Sequence, residues 1–170
     1  MSFRGFAPHF GIISIRLRAW LAGFFLIGAG ASMRAELVGH WTFEAEAELV
    51  DLTGNWGELE LRGATVADGH LNLGSNEWAL AQSYTGPTIR EKTLVTWLRM
   101  EDLNVRNGAP LAIDHPTSDR FDAIVFAERQ PLRWMPGSSG FQRTQDVMSF
   151  DETELEPELV QVAITYADAN

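Results

Sequence analysis

The sequence predicts an all-β protein, an antiparallel two-sheet jelly-roll sandwich preceded by a helical signal segment. Short stretches of alternating apolar and polar residues recur along the chain, which is the pattern of half-buried strands. Glycine, asparagine, aspartate and proline separate these stretches, as turns require. Beyond residue 35, no stretch keeps a helical period of apolar residues over three turns. Many short strands at even spacing are typical of β-sandwiches.

The first 35 residues differ in composition from the rest of the chain. They contain four arginines and no acidic residue, and residues 20–31 form an apolar run. That run is short for a bilayer span, which takes about 20 residues. Small residues at its end offer cleavage sites near Ala31 and Ala35. We therefore expect a signal peptide over 1–35 and a single domain over 36–170, with an uncleaved N-terminal anchor as the alternative.

The charge of the remaining chain restricts the classes of partner. The whole protein has a net charge of −10, and loss of the four arginines in the first 35 residues leaves −14. Such an acidic surface repels phosphate backbones, so nucleic acid is not an expected partner. The chain has no cysteine, so the domain depends on its core rather than on disulfides. We expect a secreted, periplasmic or cell-surface location and no stable membrane span after cleavage.

Alternation and turn residues predict the strands in order. The opening strand covers residues 37–43, with Trp41 and Phe43 on one face, and residues 51–55 form the turn after it. Later strands are predicted over 58–62, 70–73, 77–84, 92–100, 110–114, 121–127 and 159–166. The strand over 92–100 is apolar on both faces, which indicates a central position in a two-layer structure.

The sequence ends soon after its last predicted strand. Residues 166–170 begin a pattern typical of a hairpin turn, and no returning strand follows. A terminal strand with a bare edge invites aggregation. We therefore expect the β-domain to be truncated at its C-terminus, and a disordered tail is the alternative.

Four segments, taken in order, resemble those of laminin-G-like, or concanavalin A-like lectin/glucanase, jelly-roll domains of bacterial exported proteins. The segments are Leu37-Val-Gly-His-Trp-Thr-Phe-Glu44, Asp51-Leu-Thr-Gly-Asn55, Thr93-Leu-Val-Thr-Trp-Leu98 and Val160-Gln-Val-Ala-Ile-Thr-Tyr166. The resemblance covers most of residues 36–170 and implies a two-sheet antiparallel jelly roll. It also implies a hairpin partner after the last segment. Trp56 and the stretch 102–122 depart from the family's pattern.

No catalytic residue is predicted. Glu44, Glu46 and Glu48 would share one side of an extended segment, and glycosidases use paired carboxylates. The resemblance to the glucanases of this fold would require a Glu-x-Asp-x-x-Glu pattern, which this segment lacks. We interpret these acids, and those of residues 151–158, as exposed and solvated.

Four oxygen-bearing side chains suggest a cation site. Calcium takes several oxygen ligands from flexible loops, and some jelly rolls of the resembled family hold calcium. Asp51, Asn55, Asp114 and Asp119 offer such oxygens. A calcium site built from these residues is one hypothesis, and ordinary turn formation is the alternative.

One long loop combines cations with aromatic rings in an otherwise acidic domain. Its candidate ligand-binding residues are Arg129, Arg133, Trp134, Phe141 and Arg143. Aromatic faces and arginine forks are common means of recognition. The alternative is that Trp134 begins a strand and belongs to the core, while the arginines pair with acidic neighbours.

These observations favour a non-catalytic recognition module of an exported or cell-surface protein. Carbohydrate is the expected ligand, from the resemblance alone. A glycan hydrolase or lyase on the same fold is one alternative. A structural or adhesion module that contacts an extracellular protein is another.

Overall fold

The structure, a computed structural model, describes residues 2–4, 35–106, 108–142, 144–145 and 151–167. Residues 5–34 of the predicted signal segment, including Ala31, lie outside the described residues, as does Arg143. Within the described ranges, no α-helix occurs, and no helix is long and apolar enough to cross a membrane.

Ten strands and one short 3-10 helix make up the regular structure of the described residues. The strands are β1 (Ser2–Arg4), β2 (Glu60–Arg62), β3 (Thr65–Ala67), β4 (His70–Asn72), β5 (Trp78–Leu80), β6 (Lys92–Leu98), β7 (Gly108–Asp114), β8 (Phe121–Phe126), β9 (Trp134–Ser138) and β10 (Val160–Tyr166). The 3-10 helix covers Ser139–Phe141. All strand pairs are antiparallel, which confirms the predicted all-β class.

The largest sheet has six strands in the order β2-β5-β1-β7-β8-β9. Its centre is unusual because β1, from the start of the chain, lies between β5 and β7. The second sheet is the pair β10-β6 and the third is the hairpin β3-β4. The jelly-roll connectivity stays a prediction, because the described part of the second sheet has two strands.

The main hydrophobic core joins the six-stranded sheet to the β6–β10 pair. It contains Leu94 and Leu98 of β6, Ile164 of β10, and Ile124 and Phe126 of β8. Burial of such side chains contributes roughly 25 cal/mol per Å² of apolar surface, so this contact supplies most of the cohesion between the two layers.

Two polar contacts cross the same layers. Lys92 of β6 bonds to Asp122 of β8, with 2.7 Å between Nζ and Oδ2. The hydroxyl of Tyr166 on β10 lies 2.7 Å from the carbonyl oxygen of Ala123 and 3.0 Å from that of Gly137. It also accepts the backbone N–H of Ala123 at 3.3 Å. This one hydroxyl therefore fixes β10 against both β8 and β9.

The predicted opening strand over residues 37–43 is wrong, because no strand is formed there. The backbone N–H of His40 donates to the Asp51 carboxylate at 2.7 Å, and its carbonyl accepts the Leu52 N–H at 2.8 Å. Phe43 has a φ of 59°, which no strand accepts. Trp41 and Phe43 are still buried, so the alternation in the sequence reflects core packing rather than pairing with a neighbouring strand.

Replacing Tyr166 tests the link between the layers. Tyr166→Phe removes the shared hydrogen-bond partner of Ala123 and Gly137 inside the core and keeps the ring. We expect the free energy of unfolding to fall by about 1–3 kcal/mol, measured by urea denaturation. Gln161→Thr, at an exposed position on the same strand, serves as the control and should stay within about 0.5 kcal/mol of the wild type. Equal effects of the two substitutions would contradict this role of the hydroxyl.

Candidate functional site

A groove of about 930 Å³ lies on one face of the six-stranded sheet. Residues of β5, β7 and β8 line it, together with the loop between β7 and β8. Ligand sites in proteins commonly enclose about 300–1,000 Å³. The groove is therefore large enough for a small oligomeric ligand.

Alternation along β8 separates the groove from the main core. Phe121, Ala123 and Val125 line the groove, whereas Ile124 and Phe126 belong to the core. Ala123 and Val125 are small, which leaves the groove open, because longer side chains there would fill the space. They form a second apolar cluster with Ala112 of β7 and Met135 of β9.

Polar side chains are concentrated at one end of the groove. Asp114, the last residue of β7, is one of them, and the loop between β7 and β8 contributes His115, Ser118, Asp119 and Arg120 to the lining. The loop is closed on itself, because the His115 N–H donates to the Arg120 carbonyl at 2.8 Å. This end of the groove can both donate and accept hydrogen bonds.

The hydroxyl of Ser139, in the 3-10 helix after β9, holds this loop in place. It donates to the Asp119 carbonyl at 2.5 Å and accepts the Phe121 N–H at 2.9 Å. Both contacts are made to backbone groups, so they position the loop and leave the Asp119 and Phe121 side chains at the groove. The Phe121 ring is 38% exposed.

An aromatic ring from β5 borders the opposite side. Trp78 is half-buried and lines the groove, and the Arg62 guanidinium lies 5.7 Å from its ring centroid. That distance is within the range of a cation–π contact, which orients the indole. Trp78 therefore borders the groove and is not part of the two apolar core clusters of the described residues.

The turn over residues 51–56 is built around the Asp51 carboxylate, which is 3% exposed. Its Oδ1 accepts the N–H groups of His40 at 2.7 Å and Thr53 at 3.1 Å. Its Oδ2 accepts the Thr53 hydroxyl at 2.6 Å and the N–H groups of Asn55 and Trp56 at 2.9 and 3.1 Å. Five donors leave little capacity on this carboxylate for a cation.

The hydrogen bonds also set the acidity of this group. Burial raises the pKa of Asp51, but the Thr53 hydroxyl and the N–H groups of His40, Thr53 and Trp56 together outweigh it. The pKa therefore lies below its usual value of 3.8. The carboxylate stays charged across the neutral range.

The predicted calcium ligands fall into two different places. Asp51 and Asn55 belong to the turn, where the Asn55 carbonyl accepts the Thr85 N–H at 2.8 Å. Asp114 and Asp119 lie at the polar end of the groove. Among the described residues, no three histidine or acidic side chains come close enough to hold a metal ion. Calcium binding stays a prediction, and the structure does not bring its four candidate residues together.

Described residues of the arginine-rich loop form hydrogen bonds and an ion pair with residues 144, 151 and 152. Trp134 begins β9, is 5% exposed and donates from Nε1 to Glu152 at 2.8 Å. Arg133 pairs with Asp151 at 2.9 Å, and Arg129 donates to the Thr144 carbonyl at 3.2 Å. Trp134 and Arg133 thus lie as the alternative of a core tryptophan with arginines paired to acids expects, whereas Arg129 bonds to a backbone carbonyl.

Phe141 is the exposed member of that predicted set. Its ring is 62% exposed, and it lies outside the groove lining. Ligand binding by the loop stays a prediction. Its test needs Phe141, because the indole of Trp134 points into protein.

The acidic run over residues 151–158 contains one buried carboxylate, which the interpretation of a fully exposed run missed. Glu152 is 3% exposed. Besides Trp134 Nε1, it accepts the N–H groups of Thr153 and Glu154, both at 3.0 Å. Burial of a carboxylate is tolerable here because three donors compensate it.

Sequence reasoning did not identify the groove. A usable signal was present in β8, which is apolar on both faces over residues 123–126, with Ala123 and Val125 on one of them. Such a face fits a concave surface that a ligand or another segment covers. The register that aligns Ala112 with Ala123 across two strands could not be read from one strand alone.

Comparison with known proteins finds no family model that matches this chain. No curated protein and no solved structure matches it either.

Replacing Asp51 tests the turn and its pH dependence. Asp51→Asn puts an amide donor where five donors converge, so we expect a loss of about 2–4 kcal/mol in the free energy of unfolding at pH 7. Because the folded pKa lies below the unfolded value, the wild-type advantage should be complete above about pH 4–5. It should decline as the pH falls through the folded pKa, below the usual value of 3.8.

Urea denaturation of both proteins from pH 7 down to pH 3 measures this difference. Asp68→Asn, at an exposed turn residue, is the control and should change stability by less than about 0.5 kcal/mol. A stability difference between wild type and Asp51→Asn that grows on acidification would contradict the assignment.

Replacing Trp134 tests its placement. Trp134→Phe removes the donor to buried Glu152, so we expect the free energy of unfolding to fall by about 2–4 kcal/mol. Trp97→Phe, at a half-buried position on β6, should cost less. Equal losses in thermal and urea denaturation would argue against the buried bond.

Proposed function

We propose that this protein is an exported, non-catalytic recognition module that binds a carbohydrate in the groove of its six-stranded sheet. The observation that carries the proposal is the groove itself, with aromatic rings and hydrogen-bonding side chains converging on one concave face. The export part of the proposal rests on the sequence pattern of residues 1–35. Because β1 lies between β5 and β7, the groove as described belongs to a chain that keeps this segment, as in the alternative of an uncleaved N-terminal anchor.

The lining of the groove suits a sugar. Phe121 and Trp78 offer apolar ring faces, against which the C–H faces of a sugar ring can pack. Asp114, Asp119 and Arg120 can exchange hydrogen bonds with hydroxyl groups. A pocket with apolar walls and a few convergent polar groups is the usual composition of a ligand site.

Charge supports a neutral or cationic ligand. Four acidic side chains line the groove, at Glu77, Asp114, Asp119 and Glu128, whereas Arg120 is the one arginine or lysine among its described lining residues. An anionic polymer would meet repulsion there. A neutral glycan meets no such cost.

The resemblance to laminin-G-like domains agrees with this proposal, since it implies a β-domain of exported proteins. The recognition residues proposed here are nevertheless those of the groove, not those of the loop over residues 129–143. The loop is the competing location, and its exposed ring, Phe141, makes the two locations separable.

A matched pair of substitutions tests the location. Phe121→Ala and Phe141→Ala each remove one exposed ring, inside and outside the groove respectively. We expect Phe121→Ala to weaken binding to the best ligand on a glycan array by about tenfold or more, as loss of an aromatic anchor does. Phe141→Ala should bind like the wild type.

The outcomes separate the alternatives. Loss of binding only in Phe141→Ala would move the site to the loop and overturn the groove proposal. Release of reducing sugars or unsaturated products from the bound glycan would instead support the hydrolase or lyase alternative, and Asp114→Asn and Asp119→Asn would then identify the acids. Absence of any glycan ligand for the folded wild type would favour the structural or adhesion alternative. Thermal denaturation of each variant checks that it is folded.

A further inference from the structure

We propose that the groove selects a glycan whose sugar units carry ammonium groups, an oligomer of amino sugars that spans the groove from end to end. The inference rests on the proposed carbohydrate site and names the class of its ligand. The cavity and its aromatic rings define the site, whereas the acidic side chains of the lining define the charge of the ligand.

The strand register defines the two ends of the groove. Gly108, the first residue of β7, pairs with Phe126 at the end of β8. Asp114, the last residue of β7, pairs with Phe121 at the start of β8. A strand rises about 3.3–3.4 Å per residue, so β7 separates the two ends by roughly 20 Å at most. The groove therefore suits an extended ligand of several units better than a single sugar ring.

Two glutamates line the end of the groove at the start of β7, which we call the glutamate end. Glu128 follows β8, and Glu77 directly precedes β5. Trp78 and Ala109 lie at the same level, because both pair with Arg4 of β1. The glutamate end thus combines two carboxylates with the indole of Trp78.

Two aspartates line the opposite end, which we call the aspartate end. Asp114 is the last residue of β7, and Asp119 belongs to the loop between β7 and β8. The Ser139 hydroxyl contacts the backbone of both Asp119 and Phe121, so this carboxylate and this ring lie at the same end. Each end therefore has two carboxylates and one aromatic ring.

This spacing of the acids suits a ligand with separated cations. Among the described residues, no three histidine or acidic side chains come close enough to hold a metal ion. Arg120 is the one arginine or lysine among the described lining residues, and Arg62, beside Trp78, is paired with Glu60. The described lining residues therefore hold an excess of negative charge, which cations at both ends of one ligand can match.

An amino sugar matches the ring and the carboxylates at each end. Its C–H faces can pack on Trp78 or Phe121, and its ammonium group can donate charge-assisted hydrogen bonds to a carboxylate. Such bonds are roughly twice as strong as those between neutral groups. N-acetylation removes the charge and keeps the sugar ring, so it separates the contribution of the charge from that of the sugar.

The first experiment compares matched ligands on the unmodified full-length chain. The probes are hexamers of β-1,4-linked glucosamine and of its N-acetylated form, and calorimetry measures both dissociation constants at a pH that protonates the amines. We expect the glucosamine hexamer to bind about tenfold or more tightly than the acetylated hexamer at low salt. Added salt should reduce this ratio, because it screens exposed charges. The glucosamine dimer, which is too short to reach both ends, should bind about tenfold or more weakly than the hexamer.

The second experiment removes one carboxylate charge at each end. Asp119→Asn and Glu128→Gln keep the size of the side chains, and each should reduce the preference for the glucosamine hexamer by about threefold. The double variant should lose most of the preference. Asp68→Asn, at an exposed turn residue outside the lining, is the control and should keep the preference of the wild type. Thermal denaturation checks that each variant is folded.

The results separate this inference from the proposed function. Binding of the glucosamine hexamer that is equal to or weaker than that of the acetylated hexamer would overturn the inference, as would failure of both hexamers to bind. The proposed function would stand after either result if another glycan binds and Phe121→Ala weakens its binding. An unchanged preference in the folded double variant would also overturn the inference, because the cations would then bind elsewhere on the acidic surface.

A polyamine is the remaining competitor, and spermine tests it. Spermine carries separated amines without sugar rings, so it should bind about tenfold or more weakly than the glucosamine hexamer. Equal binding of the two would assign the groove to a polyamine, and it would overturn both this inference and the proposed carbohydrate ligand.

Discussion

The Asp51 carboxylate is the constraint on which the first part of the domain depends. Residues 35–57 form no strand, yet they are held in place, because this one group accepts five hydrogen bonds. The turn so formed directs the Trp56 indole to the Val38 carbonyl at 2.8 Å. It leaves no room beside Gly39, where a Cβ would lie 2.9 Å from the Trp41 ring. The Asp51 side chain supplies here the hydrogen-bond acceptors that a neighbouring strand supplies elsewhere in the domain.

The residues with conspicuous sequence patterns are therefore different from the residues that line the groove. The Gly-x-Trp and Asp-x-x-Gly-Asn patterns are used for packing and hydrogen bonding in and around the turn, where the Trp56 ring packs against Tyr84 at 4.4 Å between centroids, tilted by 39°. The surface that can hold a ligand is formed by inconspicuous residues, among them Ala112 and Ala123. Conspicuous sequence patterns can therefore be structural and leave the ligand open.

Much of the fold could be predicted from alternation, and the exceptions have physical causes. β6, β8 and β10 lie within one or two residues of their predicted bounds, because each is long and strongly patterned. β1 could not be predicted, since a strand of three residues depends on partners about a hundred residues away. The opening strand was wrongly predicted because Trp41 and Phe43 are buried in the core without pairing with a neighbouring strand. The groove was not predicted, because it arises from the register between strands. The burial of Trp134, in contrast, was one of the alternatives that the sequence left open.

The central position of β1 also has a consequence for the order of events during synthesis. Ser2 pairs with Ala112, so this part of the sheet cannot close until about 110 residues have left the ribosome. At about 5–20 residues per second, the amino terminus stays out of the sheet for roughly 5–20 s. During that interval a receptor for nascent chains can engage the same residues without competing against folded structure. Timing, rather than affinity, would then decide whether these residues meet such a factor before they close the sheet.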